Sequence, residues 1–284
     1  MPRSSNMHIN WLSSTRKLIM SLLSRPKISS NGCYQDITPK SANWDFVGFK
    51  AYELEPEKTL NLIEIDNELC LIILSGKADI KVEDDTFSNI GDRMSVFEDL
   101  KPHALYVPNN NQVTIKATTK LELAIAMAPG FGNYPVRHIK PEEMTNEVRG
   151  EGSNTRSICN ILPEQDGADS LLVVEVKTPA GNWSSYPPHK HDSDNIPVET
   201  YLEETYYHRI NPSQGFVFQR VYTDDLSIDE TMAVEDKCVV LVPCGYHPVG
   251  VPYGYDSYYL NVMAGPKRQW IFKNHPDHQW MLDK

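Results

Sequence analysis

Short runs of alternating apolar and polar residues fill most of this chain and constrain its fold more than any other feature. The runs are rich in β-branched and aromatic residues, and Gly, Pro, Asn and Asp interrupt them at short intervals. Strands separated by turns about every 8–12 residues are typical of antiparallel β-sandwiches and barrels. Helical patterns are scarce, with one or two turns expected over residues 141–148. The sequence therefore predicts an all-β protein.

The strand-like runs fall into two sets that end in similar phrases. Residues 45–128 form the first set, which closes with Met-Ala-Pro-Gly at 127–130. Residues 170–265 form the second set, which closes with Met-Ala-Gly-Pro at 263–266. Similar phrases at corresponding points of two halves indicate internal duplication. We therefore expect a duplicated small β-barrel.

The first 35 residues differ in composition from the rest of the chain. They are rich in Ser and hold five basic residues and no acidic one. The apolar residues around 19–23 are too few for a secretory or membrane helix. A real extension, a targeting segment and a misassigned start are all compatible with residues 1–19. We expect a basic, Ser-rich extension and lead-in at 1–35, a first barrel at 36–130, a connector at 131–169 and a second barrel at 170–284.

Charge and cysteine content narrow the classes of partner and compartment. Thirty-eight acidic against 27 basic residues give a formal net charge of −11 at pH 7. This balance argues against nucleic acid and against anionic membrane surfaces. The five cysteines form no Cys-x-x-Cys pair and several lie in apolar runs, as buried free thiols do in a reducing compartment. We expect a cytoplasmic protein without nucleic-acid or membrane partners, and a homo-oligomer is left open.

Four residues of the second half have the order and spacing of a metal site. His189 and His191 are two residues apart, so in a strand both imidazoles lie on one face. Such a pair alone is more often a surface feature, but Glu204 follows on an alternating run and His247 follows a Pro-x-Gly turn. Three imidazoles and one carboxylate suit a divalent ion. We expect one ion on these four ligands, with Zn²⁺ as the first choice and Mn²⁺, Fe²⁺ or Ni²⁺ as alternatives.

The order His-x-His, Glu, Pro-x-Gly, His resembles the two motifs of the cupin superfamily. It departs from them by a longer gap between His191 and Glu204 and by one residue fewer between Gly245 and His247. The wider wording resembles the 5-deoxy-glucuronate isomerases of inositol catabolism, from about Met20 to the C-terminus. The phrases that carry this resemblance are WSSYPPHKHD at 183–192, YLEETYYHR at 201–209, QRVYTDD at 219–225, VPCGYHP at 242–248 and YLNVMAGP at 259–266.

The resemblance implies a fold and an activity. The fold is a bicupin, two tandem antiparallel jelly-roll β-barrels, in which the second barrel holds the metal and the first lacks the ligands. The activity is an aldose–ketose isomerisation that turns 5-deoxy-D-glucuronate, a small anionic sugar, into 5-dehydro-2-deoxy-D-gluconate in myo-inositol catabolism. A cupin dioxygenase that uses Fe(II) and a non-catalytic sugar-binding cupin are the alternatives.

Two residues are candidates for the base that moves the proton in such a reaction. An enediol route needs a polarised carbonyl and a group that carries a proton between adjacent carbons. His208 and Tyr206 alternate with Glu204 along one predicted strand, so the three side chains share a face. We therefore expect His208 or Tyr206 to act as the base.

A carboxylate substrate also needs a cation in the pocket. Arg220 and Arg209 are the first choices, because a guanidinium binds a carboxylate through two parallel hydrogen bonds. Lys190, between the two histidines, and Arg156, in the connector, come second. For both first choices the alternative is an ordinary surface ion pair.

Overall fold

The computed structural model describes residues 21–282, and most of its regular structure is β-strand. Residues 1–19, the proposed extension, lie outside the described residues. The helical segments are single short turns, α1 (Pro39–Ala42) and the 3-10 segments Pro141–Glu143, Gly152–Asn154 and Pro276–Met281. The first-half strands are β1 (Leu23–Ser24), β2 (Cys33–Ile37), β3 (Gly48–Leu54), β4 (Thr59–Glu64), β5 (Asn67–Ser75), β6 (Ala78–Val82), β7 (Asp85–Ile90), β8 (Ala104–Val107), β9 (Asn111–Ala117), β10 (Leu121–Pro129) and β11 (Arg137–Ile139).

The later strands continue the all-β pattern, and the predicted fold class is confirmed. Among the described residues, no helix is long and apolar enough to cross a membrane. These strands are β12 (Thr145–Arg149), β13 (Arg156–Leu162), β14 (Leu172–Thr178), β15 (Trp183–Ser184), β16 (His189–Lys190), β17 (Glu203–Asn211), β18 (Phe216–Tyr222), β19 (Asp229–Glu235), β20 (Val239–Val242), β21 (Val249–Gly250), β22 (Asp256–Ala264) and β23 (Lys273–Asn274).

Two antiparallel sheets form the first barrel. A six-stranded sheet has the order β11-β8-β5-β10-β3-β2, and a four-stranded sheet has the order β4-β9-β6-β7. Alternate residues point into the space between the sheets, among them Leu69, Leu71 and Ile73 of β5 and Ile115 of β9. Burying a side chain of this size stabilises the fold by about 1.5–3 kcal/mol. The alternation in the sequence thus gives each strand a face for this core.

The second barrel repeats the two-layer design. A seven-stranded sheet with the order β1-β20-β17-β22-β14-β13-β12 is joined by a four-stranded sheet with the order β15-β21-β18-β19. Apolar side chains such as Val217, Val234 and Met263 form its core. A separate two-stranded ribbon pairs β16 with β23, placing His189 opposite Asn274. The predicted pair of tandem barrels is confirmed.

The two large sheets pack back to back. Their outer faces share one apolar cluster, with Phe49 and Ile72 from the first barrel and Leu260 and Val262 from the second, all fully buried. Central strands such as β5, β10 and β22 are therefore buried on both faces. This explains why these segments are almost continuously apolar, as expected for strands covered on two sides.

The chain crosses between the barrels at more than one point. β1, near the start of the described residues, pairs with β20 of the second barrel. The 131–169 segment, which was predicted to be a connector, contains three strands. Strand β11 extends the six-stranded sheet, and β12 and β13 extend the seven-stranded sheet. The two barrels therefore share this segment. It did not stand out in the sequence because β12 is a short edge strand without a fully buried residue.

The pairing registers of the two barrels correspond. Met127 lies opposite Leu69 in the β10–β5 pair, and Met263 lies opposite Glu204 in the β22–β17 pair. The two Met-Ala phrases therefore occupy equivalent places. At the equivalent of Glu204 the first barrel carries the leucine Leu69, which is buried in its apolar core.

Candidate metal centre

Three side chains of metal-ligand type meet inside the second barrel. One donor atom from each of His191, Glu204 and His247 lies within 4.8 Å of the other two, and all three residues are buried. His191 Nε2 is 3.0 Å and His247 Nε2 is 3.3 Å from Glu204 Oε2. Both imidazoles thus direct the same ring nitrogen toward one carboxylate oxygen.

Backbone carbonyls orient the two imidazoles. His191 Nδ1 lies 2.8 Å from the carbonyl O of Leu202, and His247 Nδ1 lies 2.8 Å from the carbonyl O of Gly245. Donation from Nδ1–H to these oxygens directs each Nε2 toward Glu204, where the nitrogen can give its lone pair to a metal ion, and metal-binding histidines are commonly fixed in this way.

A glycine shapes the turn that carries His247. Gly245 has φ of +94°, and a Cβ there would lie 2.5 Å from the carbonyl O of Tyr222. Its N–H donates to Asp192 Oδ1 over 2.6 Å, so the turn is tied to the residue after His191. The Pro-x-Gly signal in the sequence therefore marks a turn that needs glycine.

His189, the fourth predicted ligand, lies beside these three residues. Its ring centroid is 4.7 Å from that of His247 and 6.4 Å from that of His191. Phe272 packs against it at 4.6 Å between ring centroids. His189 is outside the cluster whose donor atoms lie within 4.8 Å, and its ligand role stays a prediction.

The electrostatics of the cluster suit a bound cation. Burial lowers the pKa of His189 well below its usual value and also lowers the pKa of His247, so both rings are neutral near pH 7. Burial acts in the same direction on His191, but the hydrogen bond and the negative charge of Glu204, with the Leu202 carbonyl and the charge of Asp192, together outweigh it and raise the pKa of His191. His247 Nε2 is buried and has no hydrogen-bond partner, because its 3.3 Å contact with Glu204 is an ion-pair distance without hydrogen-bond geometry. A buried nitrogen without a partner is costly, and the donor set fits a divalent ion.

A cavity of about 360 Å³ is lined by His189, which lies next to this cluster. Its walls include His189, Tyr206, Tyr259, Asn261 and Trp270. Aromatic walls with a few polar groups are common in small-molecule sites of this size. The space suits a ligand the size of a sugar acid.

The structure separates the two candidate bases. Tyr206 lines the cavity, and its hydroxyl is 2.8 Å from Ser185 Oγ. Burial raises the pKa of Tyr206 well above its usual value, so near pH 7 the phenol is protonated and acts as a donor. His208 does not line this cavity: it is fully buried, its Nε2 is 2.9 Å from Gln219 Oε1, and burial lowers its pKa to about 4.

Arg209 and Arg220, the first choices for the substrate carboxylate, do not line this cavity. Arg220 is 42% exposed, and its Nε donates to Asp229 Oδ1 over 2.8 Å. Arg209 faces the other barrel, where its Nε donates to Asp236 Oδ1 over 2.9 Å and its Nη1 pairs with Glu122. Both arginine side chains point away from the barrel interior because neighbouring residues of a strand alternate between its faces. The preceding residues, His208 and Gln219, point into the barrel.

Two other arginines reach the cavity. Arg156, a second choice in the sequence, lines it together with Arg149, which the sequence interpretation missed. The position of Arg149 could have been recognised from a hairpin, because Arg149 and Arg156 flank its loop and are paired with each other. Lys190, the other second choice, pairs with Asp192 and Asp224 at 3.3 and 2.9 Å.

The back-to-back barrels, with a His/Glu cluster inside the second one, define a bicupin with one candidate metal centre. The chain belongs to the KduI/IolB family, whose model matches residues 22–281.

Individual relatives agree with this assignment. The chain is 59% identical to the 5-deoxy-glucuronate isomerase of Geobacillus thermodenitrificans over 247 residues, which cover 87% of this chain and 90% of that protein. It is 55% identical to the enzyme of the same name from Geobacillus kaustophilus over 266 residues, covering 93% and 96%.

Solved structures give the same fold. An IolB-like protein from Salmonella typhimurium superposes with a TM-score of 0.91 at 50% identity, covering 93% of this chain and all of that one. The oxalate decarboxylase of Lactobacillus farciminis superposes with a TM-score of 0.64 at 12% identity, covering 94% and 91%. At that identity the second likeness concerns the fold alone.

Proposed function

We propose that this chain is a metal-dependent aldose–ketose isomerase that converts 5-deoxy-D-glucuronate into 5-dehydro-2-deoxy-D-gluconate in myo-inositol catabolism. The observation that carries the proposal is the His191, Glu204 and His247 cluster beside a sugar-sized cavity. Relatives named 5-deoxy-glucuronate isomerase, with up to 59% identity over most of the chain, support the choice of substrate.

The proposed metal ligands are His191, Glu204 and His247, with His189 as the fourth. A divalent ion held there supplies a Lewis acid for the carbonyl and hydroxyl oxygens of the sugar. Zn²⁺ is the first choice for this donor set, and Mn²⁺, Fe²⁺ and Ni²⁺ remain alternatives because availability and geometry select among them. The first barrel is proposed to be structural.

Tyr206 is the chain's proposed proton donor to the substrate. Its protonated hydroxyl lies at the cavity wall and is joined to Ser185 over 2.8 Å, with Tyr259 a further 3.4 Å from the same Ser185 oxygen. This row of hydroxyls can hold a proton at a sugar oxygen and replace it from its neighbours. His208 supports this wall from behind, with ring centroids 6.0 Å from Tyr206 and 5.7 Å from Tyr259.

We also propose that the protein is located in the cytoplasm. All five cysteines lie among the described residues as free thiols, four of them buried. Unpaired thiols are the usual state in a reducing compartment.

The test is conversion of 5-deoxy-D-glucuronate by purified protein of measured metal content. We expect about one divalent ion per chain and formation of the keto acid without oxygen consumption. His191→Ala should remove both metal and conversion, whereas His138→Ala, in the first barrel, should retain both. Oxygen uptake would instead indicate a dioxygenase, and tight sugar binding by metal-loaded protein without conversion would indicate a non-catalytic cupin.

A further inference from the structure

Two arginines face each other at one wall of the cavity. Arg149 ends β12 and Arg156 begins β13, and the pairing register places them directly opposite. Both line the cavity that also contains His189. Like charges in directly opposed strand positions repel. This arrangement is therefore unfavourable unless a negative charge lies near both guanidinium groups.

Arg156 lacks an acidic partner among the described residues. Arg149 pairs with Glu147 over 2.7 Å, whereas no carboxylate lies within ion-pair distance of Arg156. Its Nη1 donates to the carbonyl O of Asn154 over 2.9 Å. Burial lowers the pKa of Arg156, and the neighbouring charge of Arg149 lowers it further. Partly buried guanidinium groups are normally paired, because removing the charge from water is costly.

The cavity walls are positive although the protein is acidic. Among the residues that the structure describes, no Asp or Glu lines this cavity, while the whole chain carries a net charge of −11. Reversal of the protein's overall charge at one pocket indicates an anionic ligand.

The position of Arg149 is set by two contacts. Its guanidinium lies 5.9 Å from the ring centroid of Trp270, and Glu147 neutralises part of its charge. Arg156 has no such carboxylate, so its remaining N–H groups are available for a planar, two-point contact.

We propose that Arg156, with Arg149 as the second cation, binds the carboxylate of the sugar and sets the specificity for a uronate over a neutral sugar. The inference rests on the proposed function, since it assigns the acidic end of that substrate to the hairpin of β12 and β13. The reacting end then lies toward His189 and Tyr206, which line the same cavity.

The test compares two sugars in metal-loaded protein. Arg156→Gln should raise the KM for 5-deoxy-D-glucuronate at least tenfold, a change of about 1.4 kcal/mol. Its kcat/KM for 5-deoxy-D-glucose, in which a hydroxymethyl group replaces the carboxylate, should stay within about twofold of the wild-type value. Arg156→Lys should recover part of the loss, because it keeps the charge without the fork. The matched control is Arg220→Gln, which removes an exposed arginine and should leave the kinetic constants for both substrates unchanged.

A binding measurement separates this inference from the proposed reaction. Borohydride-reduced 5-deoxy-D-glucuronate keeps the carboxylate but cannot isomerise, and its affinity is measured by calorimetry. We expect at least tenfold weaker binding to Arg156→Gln at unchanged metal content. If wild-type protein binds this acid through Arg156 but converts no uronate, the proposed reaction fails and the anion site stands. If the protein converts the uronate and Arg156→Gln affects acidic and neutral sugars equally, the inference is overturned.

Discussion

Glu68 and Glu203 make the same contacts in opposite directions between the two barrels. Glu68, on β5, accepts hydrogen bonds from the backbone N–H groups of residues 169–171 at 2.6–2.7 Å, just before β14. Glu203, on β17, accepts the N–H groups of residues 45–47 at 2.7–3.0 Å, just before β3. Both glutamates are fully buried. Each barrel therefore holds the chain segment that leads into the other.

Replacing either glutamate should destabilise the whole molecule. In Glu68→Gln one carboxylate oxygen becomes an NH₂ group that faces backbone donors, which should lower the free energy of unfolding by about 2–4 kcal/mol. Urea denaturation measures the loss. Glu57→Gln removes an exposed partner of Lys116 and should cost less than about 1 kcal/mol. Equal, small losses in both variants would show that the buried carboxylate is unimportant.

Removing a metal ligand should empty the centre without unfolding the barrel. We expect His247→Ala to bring metal content close to zero by elemental analysis, while its far-ultraviolet circular dichroism stays that of wild-type protein. The reason is that His247 is one of the three donor residues of the cluster, with His191 and Glu204. His275→Ala, which changes a histidine outside the cluster, serves as the control. Full metal content in His247→Ala would contradict the ligand assignment.

Substitutions of Arg209 and Arg220 should differ in their cost to stability, although the same role was predicted for both residues. Arg209→Met leaves Glu122 and Asp236 without their cation in a largely buried setting, and we expect a loss of about 2–4 kcal/mol in unfolding free energy. Arg220→Met breaks an exposed pair and should cost less than about 1 kcal/mol. A large rise in the KM for the uronate in Arg220→Met would restore the original prediction.

His208 should make metal-free protein less stable in mild acid. An unfolded chain binds a proton at a histidine near pH 6.5, whereas burial lowers the pKa of folded His208 to about 4. At a pH between these two pKa values, proton binding therefore favours the unfolded chain. The full loss of unfolding free energy from this one residue is about 3 kcal/mol. Urea denaturation from pH 7 to pH 4.5 should show a shallower fall in stability for His208→Asn than for wild-type protein. Identical slopes would mean that His208 does not titrate in this way.

The sequence predicted the features that depend on local periodicity. Alternating runs gave the all-β class and the two barrels. The His-x-His pair and the later Glu204 and His247 gave the donors that meet in the second barrel, with His189 next to them. These predictions depend on the spacing of residues along a strand, and they require little knowledge of which strands are neighbours.

Side-chain direction was harder to predict where both faces of a strand carry apolar residues. In β18 the buried Val217 alternates with the exposed Phe218, so hydrophobicity does not show which parity points inward, and Arg220 was misplaced. Arg149 was missed for a different reason. Its strand is mostly polar and joins the second barrel through pairing with β13, a relation between segments that spacing alone does not reveal.

The reciprocal contacts of the two barrels have the geometry of an isologous dimer, in which each protomer offers the other the same patch. Here both protomers belong to one polypeptide, so the association needs no minimum concentration and the halves can diverge. One half keeps Glu204 at its inner face, and the other has Leu69 at the equivalent place. The molecule thus resembles a dimer whose two barrels are covalently linked. The first barrel can become fully apolar inside, while the second retains the polar groups that chemistry requires.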